Sequence, residues 1–178
     1  MPMSLPEFNT TNADAFITEL MQLPREQQLR LLRRVSQSAP PGYADQMGAA
    51  STEAEAAVWE ILGAGSKWAT LPGWAWLGAL DTLVGWIQGT ARTCLHAPRP
   101  ERPQPVFAAA WRPGLVTCRR CTHLLRVGSA IRDATCDGCG HICLGVAAGD
   151  GITPSAFPFG PLTFWAGACK DCTGTPYE

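Results

Sequence analysis

The chain has 178 residues, of which 46% are apolar and 16% charged, and its net charge is −1. That length and balance suit a folded globular protein of one domain or two small ones, and exclude a solvated, disordered tail. The first twenty residues, MPMSLPEFNTTNADAFITEL, lack a basic patch followed by an apolar run, so no secretory signal is read and a cytoplasmic location is expected.

The first half reads as helices. Asn12 caps a first helix with Phe16, Ile17, Leu20 and Met21 on one side, ended by Pro24. Pro24 opens a second, PREQQLRLLRRV, with Leu29, Leu32 and Val35 at helical spacing. Residues 36–50 carry two prolines and two glycines and read as a loop or linker. A third helix is expected from Thr52, where Thr52 and Glu55 form a capping box ahead of Ala54, Ala57, Val58, Ile61 and Leu62. A fourth is expected from Trp74 or Trp76 to Arg92, burying Leu77, Leu80, Leu83, Val84 and Ile87. The most apolar stretch, residues 74–88, contains Asp81 and falls short of the roughly 20 apolar residues a bilayer requires, so no membrane span is expected.

Five tryptophans (Trp59, Trp68, Trp74, Trp76 and Trp86) lie in this half. They fill a small core, or they form an apolar patch that docks a protein partner or a second copy of the chain.

The grammar changes near residue 92. Short extended runs bounded by Gly and Pro read as strands at 105–111, 114–118, 123–127, 141–149 and 162–169. All eight cysteines lie here, at 94, 118, 121, 136, 139, 143, 169 and 172. In a reducing compartment such clustering points away from disulfides and toward metal.

Three segments, TCRRCTH (117–123), TCDGCGH (135–141) and ACKDCTG (168–174), are each a Cys-x-x-Cys followed by a small residue. That spacing lets two sulfurs share one cation while amides of the turn bond the thiolates. These segments resemble the zinc knuckles of zinc-ribbon and treble-clef proteins, CDGCG (136–140) most of all. A knuckle supplies two ligands and tetrahedral zinc takes four, so a fourth pair is required. Cys94 and His96 in TCLHAP provide it.

The expected ligands are therefore Cys94, His96, Cys118, Cys121, Cys136, Cys139, Cys169 and Cys172, enough for two structural Zn2+ per chain. Fourteen residues separate Cys121 from Cys136, which favours joining those two pairs across a hairpin, with the outer pairs closing the second site. A cross-brace resembling a RING domain is the rival, but twenty-one residues between His96 and Cys118 depart from that family's spacing. Cys143 is read as a small buried hydrophobe or a substitute ligand, and His123 and His141 as neighbours of the sites that bond a carbonyl or meet a phosphate, in preference to direct ligation because eight ligands are already counted without them.

Redox and catalytic readings fare worse. A thioredoxin-like pair needs a βαβ unit that is not readable here, and the Cys-x-His pair favours zinc over an iron-sulfur cluster. No deaminase signature, phosphate-binding Gly-Lys loop or nucleophile elbow occurs, so no small-molecule substrate is evident and a non-enzymatic protein is expected.

Charge is unevenly placed. Residues 92–132 hold eight arginines and one acid, Glu101, a local excess of seven. Arg112, Arg119, Arg120, Arg126 and Arg132 are the candidates for contact with DNA or RNA. The same arginines also offset the negative charge of zinc-thiolate centres, and the chain prefers Arg to Lys throughout, twelve to two. The whole reads as an α+β protein: a helical domain over 1–92, then a β-rich double zinc-knuckle domain over 93–178.

Overall fold

The computed structural model describes residues 41–62 and 71–173. The expected helices before residue 36 lie outside the described residues, as does Trp68. The described residues from Gly42 onward belong to one compact unit, an α+β assembly of helices and a five-stranded sheet.

Helix α1 (Tyr43–Leu62) begins well before the expected start at Thr52, so most of the expected 36–50 loop that is described is helical. The Thr52 hydroxyl does not cap a helix start. It bonds back to the Gly48 carbonyl at 3.1 Å, and Ser51 does the same to Met47 at 2.8 Å, which satisfies both hydroxyls inside a continuing helix. Ala50, Ala54, Ala57 and Val58 form the buried face, while Ile61, expected inside, is half-exposed.

Helix α2 (Gly73–Ile87) stops short of the expected Arg92. Its end is a Schellman turn: Thr90 N–H donates to Gly85 O, Gly89 N–H donates to Trp86 O, and Gly89 takes φ +72°. The buried face is also rotated from the expected one. Ala75, Ala79, Thr82 and Trp86 face inward, whereas Leu77 and Ile87 are exposed. Small residues prevail because the helix lies close to the sheet; a Cβ added at Gly78 would sit 3.3 Å from the Phe164 ring.

The strands are β1 (Arg92–Thr93), β2 (Val106–Ala109), β3 (Leu115–Cys118), β4 (Thr153–Phe159) and β5 (Leu162–Ala168), in sheet order β1-β3-β2-β5-β4. β1 runs parallel to β3 and β2 parallel to β5; the β2/β3 and β4/β5 pairs are antiparallel. Three expected strands correspond to β2, β3 and β5. The runs at 123–127 and 141–149 are not strands: the first enters a 3-10 helix (Arg119–Leu125) and the second contains a 3-10 turn (Val146–Ala148). β4 escaped the sequence reading because Pro154 and Pro158 interrupt it, and the sheet accommodates them by placing β4 at its edge.

Both faces of the sheet are covered, so β2 is buried at all four positions. Val106 and Ala108 join Ala75, Ala79 and Trp86 of α2, while Phe107 and Ala109 join Ala57 of α1. The buried Thr163 hydroxyl ties the second face down by donating to the Ala54 carbonyl at 3.1 Å. Trp86, 2% exposed, donates its indole N–H to Pro98 O at 2.8 Å. Trp76 packs edge-on against Phe159 and Trp74 donates to Cys172 O, whereas Trp59 is 55% exposed. The helices thus share their core with the sheet across the change of composition near residue 92.

Candidate metal centres

The eight expected ligand residues fall into two groups of four, in each of which the donor atoms all lie within 4.8 Å of one another. Their pairing is neither nested nor crossed. Cys94 and His96 meet Cys118 and Cys121, and Cys136 and Cys139 meet Cys169 and Cys172, so neighbouring pairs in the chain combine.

The sheet explains this. Parallel pairing of β1 with β3 sets Thr93 beside Val116, and Cys94 N–H continues the ladder to Val116 O at 3.3 Å. Cys94 thereby arrives next to Cys118, whose amide donates to Cys94 Sγ at 3.4 Å. The tight turn after Cys94, with Ala97 at φ +42° and its N–H on Cys94 O, swings His96 over the cluster. The expected hairpin between Cys121 and Cys136 is absent because residues 122–135 hold 3-10 and α-helical turns, including α3 (Ala130–Asp133), rather than paired strands.

In the second group Gly140, at φ +77°, closes the knuckle by donating to Cys136 O at 2.9 Å. β5 brings Cys169, whose amide donates to Cys136 Sγ at 3.3 Å, and helix α4 (Lys170–Thr173) turns Cys172 inward. Asp137, between the ligand cysteines, locks the knuckle to β5. Its amide donates to Gly167 O, Gly167 N–H donates to its Oδ2, and Arg132 pairs with its Oδ1 at 2.7 Å. Burial pushes the Asp137 carboxyl up, opposed by the Gly167 amide and Arg132. Neither that aspartate nor this clamp was anticipated from sequence.

The donor geometry fits zinc. Zn–S bonds of about 2.3 Å make a tetrahedral S···S edge of about 3.8 Å, and Zn–N of about 2.05 Å makes an N···S edge of about 3.6 Å. Cys139 Sγ and Cys169 Sγ are 3.8 Å apart and His96 Nδ1 lies 3.6 Å from Cys118 Sγ, at those edges, whereas His96 Nδ1 lies closer than an edge to Cys121 Sγ, at 3.1 Å. Four thiolates, or three and an imidazole, with amide N–H groups on the sulfurs, are the closed donor sets of structural zinc.

Without metal the thiols diverge. Burial raises Cys136, but the amides of Cys169, Cys139 and Gly138 outweigh it and bring the thiol down to about 7. Cys94 is likewise lowered: the amides of Cys118 and His96 overcome burial. Burial and neighbouring thiols push Cys121 up to about 11, and burial raises Cys169 and Cys172. The first cluster therefore sets a lowered thiol, Cys94, beside a raised one, Cys121, and the second sets the lowered Cys136 beside the raised Cys169 and Cys172, whose protons a cation must displace.

The remaining sequence candidates lie outside these two groups of four. His123 Nδ1 donates to the Arg120 carbonyl, away from both donor groups. Cys143 is buried, in neither group of four, and its thiol is pushed up to about 11 by burial and by Asp150. His141 pairs with Asp150 through Nε2 at 3.0 Å. Arg112, Arg119, Arg120 and Arg126 are exposed and Arg132 is partly buried. Arg119 pairs with Glu60 of α1, and Arg112 donates to the Arg126 carbonyl at 3.4 Å.

No protein-family model matches the chain, and no curated protein or solved structure is significantly similar to it. Among the described residues no helix is long and apolar enough to cross a membrane.

Proposed function

We propose that this is a non-enzymatic zinc-binding protein whose two metal centres hold an arginine-bearing surface for contact with the phosphate backbone of DNA or RNA. The observation that supports this reading is the exposure of Arg112, Arg119, Arg120 and Arg126 on the segments that frame Cys118 and Cys121. A rigid centre beneath flexible guanidinium groups lowers the ordering cost of meeting a polyanion, and arginine suits bidentate phosphate contact. The closed donor sets favour a structural role for both ions, which supply folding free energy to a β-rich unit built from short strands.

Arg119 and Arg132 already have carboxylate partners, Glu60 and Asp137, so Arg112, Arg120 and Arg126 carry more of the proposed contact. The test is binding of single- and double-stranded oligonucleotides at several salt concentrations, with charge reversal at Arg120 and Arg126. The reading requires affinity that falls steeply with salt and is lost in the variant.

If the wild-type protein shows no salt-sensitive binding, docking of a protein partner through the helices becomes the better reading. Exposed Trp59 and Ile61 on α1 favour it. The engagement of Trp74, Trp76 and Trp86 within the fold weighs against a broad tryptophan patch.

A further inference from the structure

Beyond the two groups of four, one further set of mixed donors converges in the loop that follows the second knuckle. His141, Cys143 and Asp150 bring an imidazole nitrogen, a thiol sulfur and a carboxylate oxygen within 4.8 Å of one another. We propose that these three residues form a third metal site, which takes a borderline divalent transition-metal ion such as Zn2+ or Co2+.

The loop is built to hold the three donors in place. Cys136 N–H donates to His141 O at 2.8 Å and Cys143 N–H donates to Ala134 O at 2.8 Å, so both residues are pinned to the backbone around the second centre. Asp150 is brought back by two reciprocal bonds with Gly145, at 2.8 and 3.2 Å, around the Val146–Ala148 turn. Gly145 at φ +107° and Gly149 at φ +67° make that return possible, in conformations that side chains disfavour. The Leu144 amide donates to Asp150 Oδ2 at 3.0 Å and fixes the carboxylate, while Oδ1 faces His141 Nε2 at 3.2 Å.

The chemistry suits a borderline cation, since imidazole, thiolate and carboxylate together match Zn2+ and Co2+ better than hard Mg2+ or Ca2+. His141 Nε2 lies 3.2 and 3.0 Å from the two Asp150 oxygens, against an N···O edge of about 3.3 Å in a tetrahedral zinc site. Hydrogen bonds from His141 and from the Cys143 thiol to Asp150 account for each pair taken singly, so what points to a cation is the convergence of all three donor types, imidazole, thiol and carboxylate, within 4.8 Å of one another. Binding replaces the hydrogen bond between His141 and Asp150 and releases the proton of the Cys143 thiol. Three protein donors leave a four-coordinate ion one position short. The exposed His141 and partly exposed Asp150, with side chains 51% and 25% accessible, place that position toward water, unlike the two closed centres.

The test is equilibrium dialysis of the full-length protein against graded Zn2+, with metal counted by mass spectrometry, and a parallel Co2+ titration followed by absorption. A third equivalent, weaker than the first two, is expected in the wild type. H141A and D150A should each weaken that equivalent by about tenfold or more while keeping the first two, and C143S should also remove the thiolate-to-cobalt band that belongs to it. Saturation of the wild type at two equivalents overturns the site, as does a third equivalent that survives in both H141A and D150A. Because His141 and Asp150 lie at the surface of the loop, those two variants decide the matter even if C143S fails to fold.

Discussion

Asp137 and Gly167 are joined twice: the Asp137 amide donates to Gly167 O at 2.8 Å, and the Gly167 amide donates to Asp137 Oδ2 at 2.7 Å. One residue sits between two cysteines of a knuckle and the other just before Cys169, so this clamp sets the separation of the two halves of the second centre. Asp137→Ala leaves the Gly167 amide and Arg132 without their acceptor and is expected to cost about 1–3 kcal/mol in chemical denaturation, and to weaken metal at that centre alone. Asp137→Asn keeps one acceptor oxygen and should cost less.

The pairing of the ligands makes a sharp demand on double variants. Cys94→Ser with Cys118→Ser should abolish one metal equivalent and leave the other, and so should Cys136→Ser with Cys169→Ser. Cys118→Ser with Cys136→Ser should damage both centres. Metal counting on purified proteins separates this pattern from a nested arrangement, in which the last combination would spare one site.

Removal of metal should undo much of the β-rich unit. Chelation at neutral pH is expected to expose amides of β1, β3 and β5 to hydrogen exchange, because the knuckles then lose the cation that draws their sulfurs together. Zinc affinity should also rise with pH. Cys121, pushed up to about 11, and the raised Cys172 are protonated in the metal-free state at neutral pH, so binding releases protons and acid competes with the ion. A metallochromic indicator followed through an acid titration reads this directly.

The tryptophans divide by environment rather than by sequence. Trp86→Ala should cost about 3–5 kcal/mol, since the ring is fully buried and its N–H bonds Pro98, whereas Trp59→Ala should leave stability nearly unchanged. Urea unfolding of the two variants makes the comparison.

The α+β class and three of the strands were legible because short apolar runs between turn residues have few other uses. The convergence of the Cys and His pairs followed from tetrahedral valence, which demands partners for three visible knuckles. Which pair joins which was not legible, because it depends on the parallel β1/β3 contact, and nothing local in a two-residue strand announces its neighbour. The inward face of α2 was misread for a related reason: hydrophobicity favoured Leu77 and Ile87, but the close approach of helix and sheet selected alanine and glycine. Asp137 and Asp150 carried the faintest signal, single acids among glycines whose roles exist only once distant backbone amides arrive.

Pairing between neighbours also imposes an order on synthesis. The first centre is complete once Cys121 has emerged, and can capture its ion while the rest of the chain is still being made. The second must wait for Cys169 and Cys172, and β5, which leads directly into them, is also the strand that joins β4 to β2. Loading of the second ion and closure of the sheet are therefore one late event, so a nascent chain whose emerged part ends between residues 125 and 160 would present a half-metallated, open-edged intermediate.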